Sequence, residues 1–184
     1  MLHPPTRSKA DIRMLTRSAL CAALIAICSW ISIPAAVPFT MQTFAVFLTC
    51  ELMGGKGLIP VVLYLLLGAA GIPVFSGFRG GIGTLLGPTG GYLMGFAGIA
   101  AVMQVWEKAL KGRLLPLGMG LGLAICYAFG TAWFMTVCSR NGNPVGMAQA
   151  LGWCVLPYIV PDLIKIVLAH LICRRVRAAL GSDI

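Results

Sequence analysis

Long apolar runs, separated by short polar or basic breaks, set the pattern of this chain. The first run covers about residues 15–33, with Arg7, Lys9 and Arg13 before it and Arg17 at its start, and stops at Pro34. The second opens near Met41 and ends at the MGGK stretch, and the third, 57–71, is short for a membrane span. Three more follow at about 91–110, 114–137 and 150–173, ending in EKALKGR, CSRNGNP and RRVR. Runs of this length and hydropathy predict transmembrane helices, the short third one packing against its neighbours or tilting little. A basic start followed by an apolar run is also the form of a cleaved signal peptide. The first run is as long as a true span and further segments follow it, so it reads as the first helix, with cleavage the lesser alternative.

Charge placement orients these helices. Arg7, Lys9, Arg13, Arg17, Lys56, Lys108, Lys111, Arg113, Arg174, Arg175 and Arg177 fall on one side of a six-span arrangement, and only Arg79 and Arg140 on the other. Cationic loops stay in the cytoplasm. The expectation is an all-α membrane protein, a bundle of six transmembrane helices with both termini inside. It forms a single integral membrane domain over 1–184 with a short basic cytoplasmic arm, 1–14.

Composition agrees: 59% of residues are hydrophobic, 10% are charged and the mean hydropathy is +0.92. A soluble domain carries roughly a quarter charged residues. The net charge of +9 sits at the ends of apolar segments and does not point to nucleic acid. Seven cysteines occur without any C-x-x-C pair and read as free, buried small hydrophobes. No phosphate loop, catalytic triad or metal box is present, which argues against an enzyme.

Three charges remain inside the apolar runs. Glu51 lies near a span end, where a carboxylate reaches the interface. Asp162 and Lys165 lie about halfway along the sixth segment, in PYIVPDLIKI. Each ionised group costs about 2.5–3.5 kcal/mol at mid-bilayer. A spacing of three puts both on one helical face, which must point into the bundle. Pro161 beside them predicts a kink or interruption, because it gives no N–H to the carbonyl of Pro157. Broken helices often build transporter sites. The purely structural reading is an ion pair that fixes helix register. The functional one is a ligand with donors for Asp162 and an acceptor for Lys165, a pattern that a cyclic urea offers. From the residues alone, the ligand is a small, mostly apolar molecule with a polar head.

Residues 71–92, GIPVFSGFRGGIGTLLGPTGGY, hold eight glycines in the outer connection. Such a loop can re-enter the membrane and present N–H groups if it lines a cavity. Arg79, its strong cation, reads either as a ligand carboxylate partner or as a solvated side chain. Tyr92 reads as an interface anchor or a cavity residue.

The stretches VPFTMQTF (37–44), GIPVFSGFRGGIG (71–83), LLGPTGGYLMGF (85–96) and VPDLIK (160–165) together resemble the BioY family, biotin-binding membrane components of energy-coupling-factor transporters. The resemblance covers nearly the whole chain and implies a six-helix bundle that binds biotin from outside. It also implies a transmembrane coupling subunit and two cytoplasmic ATPases as partners, although some members act without them. ATP is then used by the partners, and no cofactor is bound by this chain. The family's acid and lysine fall on Asp162 and Lys165, facing the ureido head. The outer loop falls on 77–83, bringing Arg79 and Gly80 to the ligand, with Arg79 where the family commonly has a small or polar residue. VPFTMQTF becomes part of a lid with Phe39 and Gln42 near the ligand, and Tyr92 joins the wall. Ala19 and Ala23, a small-xxx-small pair on the first helix, become the docking face for the coupling subunit. The implied location is a bacterial inner membrane, crossed several times. The competing readings are a self-sufficient transporter or channel in which Asp162 and Lys165 relay protons, and a ligand-free scaffold.

Overall fold

The computed structural model describes residues 9–110 and 112–180. Eight helices and one two-stranded ribbon follow in order: α1 (Lys9–Trp30), β1 (Ser32–Ile33), β2 (Phe39–Thr40), α2 (Gln42–Met53), α3 (Leu58–Ala69), α4 (Ile82–Leu86), α5 (Gly90–Leu110), α6 (Leu115–Arg140), α7 (Met147–Cys154) and α8 (Leu156–Leu180). A 3-10 turn at Gly54–Lys56 links α2 to α3. Among the described residues, four stretches are long and apolar enough to cross a membrane: Asp11–Trp30, Gly90–Leu110, Leu115–Arg140 and Met147–Ala179. The predicted second and third spans are helices of 12 residues each. At 1.5 Å per residue each reaches about 18 Å, less than a hydrocarbon core of about 30 Å. Of the predicted arm 1–14, residues 9–14 form the start of α1. Arg7 and Lys111, counted above for orientation, lie outside the described residues, as does the side chain of Lys9.

Helix α2 is the centre of the molecule. Seven consecutive residues from Ala45 to Glu51 are buried, with Ala45, Val46 and Phe47 at 0% exposure. A helix apolar all round needs neighbours on every side, and α2 packs against α1, α3, α5 and α8. The long helices turn Leu15, Leu20, Val105, Leu117, Val160 and Leu163 outward, which suits a lipid surround.

Helices α5 and α6 form the most extensive helix pair, and glycine makes it. Gly91 and Gly95 on α5, and Gly118 and Gly122 on α6, repeat at the four-residue spacing that brings helix backbones together. A Cβ on Gly95 would stand 2.5 Å from Cys126 Sγ, and one on Gly130 would stand 2.3 Å from the Tyr92 ring. That close approach sets Tyr92, Cys126 and Tyr127 on one side of the seam, facing the cavity described below.

The predicted sixth span departs from expectation. Helix α8 runs through Pro161 unbroken, and the interruption lies at Val155, φ −125° and ψ −59°, between α7 and α8. Pro157 falls in the first turn of α8, where its missing N–H has no intrahelical partner to lose. Pro161 follows in the second turn, so the freed carbonyls lie at the helix start rather than mid-span.

Candidate functional site

At one end of the bundle a cavity of about 310 Å³ opens between β1–β2, the loop after α3, and helices α2, α5, α6 and α8. That is the lower end of the ligand-pocket range. Its wall is mostly apolar and aromatic, including Val37, Phe75, Leu93, Phe96, Leu123 and Tyr158. Among its polar lining residues, one cluster is charged and buried.

Asp162 and Lys165 build that cluster. Both are on α8, 2% and 4% exposed, and their ion pair spans 2.8 Å. The spacing of three aims them inward together, as expected from the sequence. The ammonium has three N–H donors and spends all three: on the Thr40 carbonyl at 2.7 Å, Thr43 Oγ1 at 2.9 Å and Asp162 Oδ1 at 2.8 Å. It also lies 4.3 Å from the centre of the Phe39 ring, a cation–π contact. Thr43 Oγ1 donates to Asp162 Oδ1 at 2.9 Å, and the Tyr127 hydroxyl donates to Oδ2 at 2.6 Å. A desolvated ion pair survives when further hydrogen bonds satisfy it. Here α2, α6 and β2 supply them.

The two-stranded ribbon borders the cavity beside the cluster. The turn 34–38 joins β1 to β2, which pair antiparallel with Ser32 opposite Thr40 and Ile33 opposite Phe39. Pro34, Ala35, Ala36, Val37 and Pro38 all line the cavity. The Tyr158 hydroxyl donates to the Val37 carbonyl, and its ring stacks on Phe39 with centroids 6.1 Å apart.

The other expected site residues take distinct positions. Gln42 lines the cavity, with its side-chain nitrogen donating to Tyr64 OH at 2.8 Å. Tyr92 is buried rather than anchored at an interface; it lines the cavity and bonds Thr131 Oγ1 at 2.9 Å. Arg79 reaches the cavity from the outer loop, and its guanidinium has no partner among the described residues. Phe39 stands behind the wall beneath Lys165. Gly80 packs on the loop itself, where a Cβ would be 2.5 Å from the Ile72 carbonyl. The amides of Phe75, Arg79 and Gly81 bond within the loop and to Gly68, so these N–H groups do not face a ligand. Ala19 and Ala23 are exposed on α1, in line with Leu15 and Ile27.

Two residues of the cluster are not evident in the sequence reading. Thr43 lies within VPFTMQTF and Tyr127 is the sole tyrosine of the α6 run, a polar tip inside an apolar span being the available signal. Glu51 also differs: it does not reach an interface but is 2% exposed, with Oε1 2.9 Å from His170 Nδ1.

Known proteins resemble this chain in sequence and in fold. Over 169 residues the chain is 40% identical to the biotin transporter BioY of Thermotoga maritima, covering 90% of this chain and 96% of that protein. The BioY of Rhodobacter capsulatus is 33% identical over 177 residues, 89% and 93% of the two chains. The crystal structure of an S-component for biotin from an ECF-type ABC transporter superposes with a TM-score of 0.82 at 28% identity, covering 94% of this chain and 95% of that one. The BioY family profile matches residues 5–182, nearly end to end. With this reach of similarity in sequence and fold, the chain belongs to the BioY family.

Proposed function

We propose that this protein takes biotin from outside the cell into the cavity and delivers it inward with an ATP-driven energy-coupling-factor module. The observation that carries the reading is the Asp162–Lys165–Thr43–Tyr127 cluster, a buried, hydrogen-bonded pair of opposite charges on the wall of a mostly apolar cavity. A ureido ring offers two N–H groups and one polarised carbonyl. Asp162 accepts one N–H on the lone pair its present bonds leave and the other on the one that Lys165 gives up. Lys165 already uses all three of its N–H groups, so it exchanges one bond, that to Asp162, for the ureido carbonyl. The ligand thus enters between the two charges and replaces what it breaks. The thiophane ring and valeryl chain meet the apolar wall, with Tyr92 and Gln42 at its edge. Arg79, cationic and unpartnered among the described residues, takes the carboxylate at the mouth. Gly80 gives the Arg79 loop its close packing, and Phe39 supports Lys165.

In this reading all six predicted helices cross, with α2 and α3 as short inner spans surrounded by longer ones. Contacts sort the chain into two ends. Trp30 meets Phe78 and Tyr158 meets Val37 at the cavity end; Glu51 meets Arg177 and Gly54 adjoins Glu107 at the other. The cavity end faces outside and the basic end faces the cytoplasm. The protein is a multi-pass component of a bacterial inner membrane. The coupling subunit docks on Ala19 and Ala23, where small side chains permit close helix contact, and two ATPases supply the energy.

A thermal-shift series tests the ligand. Biotin and desthiobiotin, which share the ureido ring, are expected to raise the melting temperature of the purified protein, and pentanoate is not. Equal stabilisation by pentanoate, or none by biotin, contradicts the assignment.

A further inference from the structure

A second buried polar cluster ties the same two helices at their opposite end. Glu51 of α2 and His170 of α8 meet at 2.9 Å, and the Arg177 guanidinium donates to the Glu51 backbone carbonyl. Glu51 is 2% exposed, and among the described residues its Oε2 has no hydrogen-bond partner stronger than the neighbouring Cys173 thiol. A buried carboxylate with one oxygen so weakly satisfied is costly. Nothing in the ligand cluster uses it, and the sequence gives no reason to spend that cost at a mere helix end.

The space between the two clusters explains the arrangement. From the ligand site to His170, the face that α8 buries consists of Ile166 and Ala169, with Cys173 beyond. On α2, which packs against α8, Phe47 and Cys50 lie at helical spacing between Thr43 and Glu51 and are buried. Apolar contacts of this kind are non-directional and hold two helices together without fixing how far one slides along the other. Hydrogen bonds do fix it. Thr43, on α2, and the Thr40 carbonyl just before it must meet Lys165 and Asp162 of α8 within 2.7–2.9 Å. With only 12 residues, α2 has few turns on which to set that register.

We infer that Glu51 and His170 form a positioning clamp: their bond sets the axial register of α8 against α2 and thereby holds Asp162 and Lys165 in the geometry that recognises the ligand. The inference rests on the biotin reading above. Neither residue touches the cavity, so both act through the helices that carry the site. A fixed register is the best-attested use of buried polar pairs.

The test is a calorimetric titration with biotin of the parent, His170→Leu, His170→Asn and Glu51→Gln, each paired with a melting curve without ligand. His170 is only partly buried, with 28% of its side chain exposed, which favours folding of its variants. The asparagine amide can stand where Nδ1 stands and donate to Glu51; leucine cannot. The clamp predicts that His170→Leu binds biotin about tenfold more weakly, as loss of a supporting contact does. His170→Asn and Glu51→Gln stay near the parent. Biotin affinity of His170→Leu equal to the parent's, whatever its melting temperature, overturns the clamp, because the bond then serves stability alone. Equal losses in His170→Leu and His170→Asn also overturn it, since the ring and not its N–H would then matter. A parent that fails to bind biotin contradicts the proposed function instead.

Discussion

At the residue scale the molecule turns on satisfying two charges in an apolar bundle. Lys165 has no spare N–H, and Asp162 takes three hydrogen bonds from three different elements. Thr43 is the hinge of this network, because its hydroxyl accepts from Lys165 and donates to Asp162. Thr43→Val keeps the shape and removes both bonds. We expect biotin affinity to fall about tenfold, near the worth of one charge-assisted hydrogen bond, as read by competition with radiolabelled biotin. Retention of full affinity would show that the ligand does not need this network. Asp162 and Lys165 were legible in the sequence because a charge inside a span is expensive, and so is rarely there without cause. Thr43 and Tyr127 were not, since threonine and tyrosine are cheap in a span. Their partner lies 119 and 35 residues away, a separation that no local pattern encodes. Glu51 was misjudged for a related reason: proximity to a span end in sequence did not reveal the α8 turn that covers it.

At the scale of elements, two features position the cavity. The glycine seam between α5 and α6 lets the Tyr92 ring lie directly against Gly130, with no room for a methyl group. Gly130→Ala should lower stability by about 1–3 kcal/mol, the usual cost of overpacking, and weaken biotin binding by displacing Tyr92. A melting curve and a titration read the two effects; unchanged values in both would mean that the seam opens freely. The lid is the other feature. Tyr158→Phe removes the donor that holds the Val37 carbonyl. Biotin should then leave about fivefold faster, in keeping with one hydrogen bond of about 1 kcal/mol, as followed by release of labelled ligand. The apolar runs gave the helix positions closely, because length and hydropathy fix them. The break at Val155 was not visible, since valine carries no helix-stopping signal and Pro161 drew the expectation instead. In α8 the proline comes early enough that the helix continues past it.

At the scale of the whole molecule, the short helices α2 and α3 and the long ones around them make a bundle with one lidded end and one basic end. In the proposed function a partner moves the bundle, and the exposed Leu15–Ala19–Ala23–Ile27 stripe of α1 is its close-packing face. Replacing both alanines with tryptophan should abolish ATP-dependent uptake in vesicles that contain the coupling module, while leaving biotin binding by the isolated protein intact. Uptake that persists, or that follows a proton gradient with this chain alone, would favour the self-sufficient transporter. The most direct measurement remains a calorimetric titration with biotin of the parent, Asp162→Asn and Lys165→Ala. The account predicts saturable one-to-one binding by the parent and a loss of about 2–3 kcal/mol in Asp162→Asn, whose Lys165 still has Thr40 and Thr43 to hold it. Lys165→Ala should lose binding at least as strongly. Both variants binding biotin as tightly as the parent would contradict it.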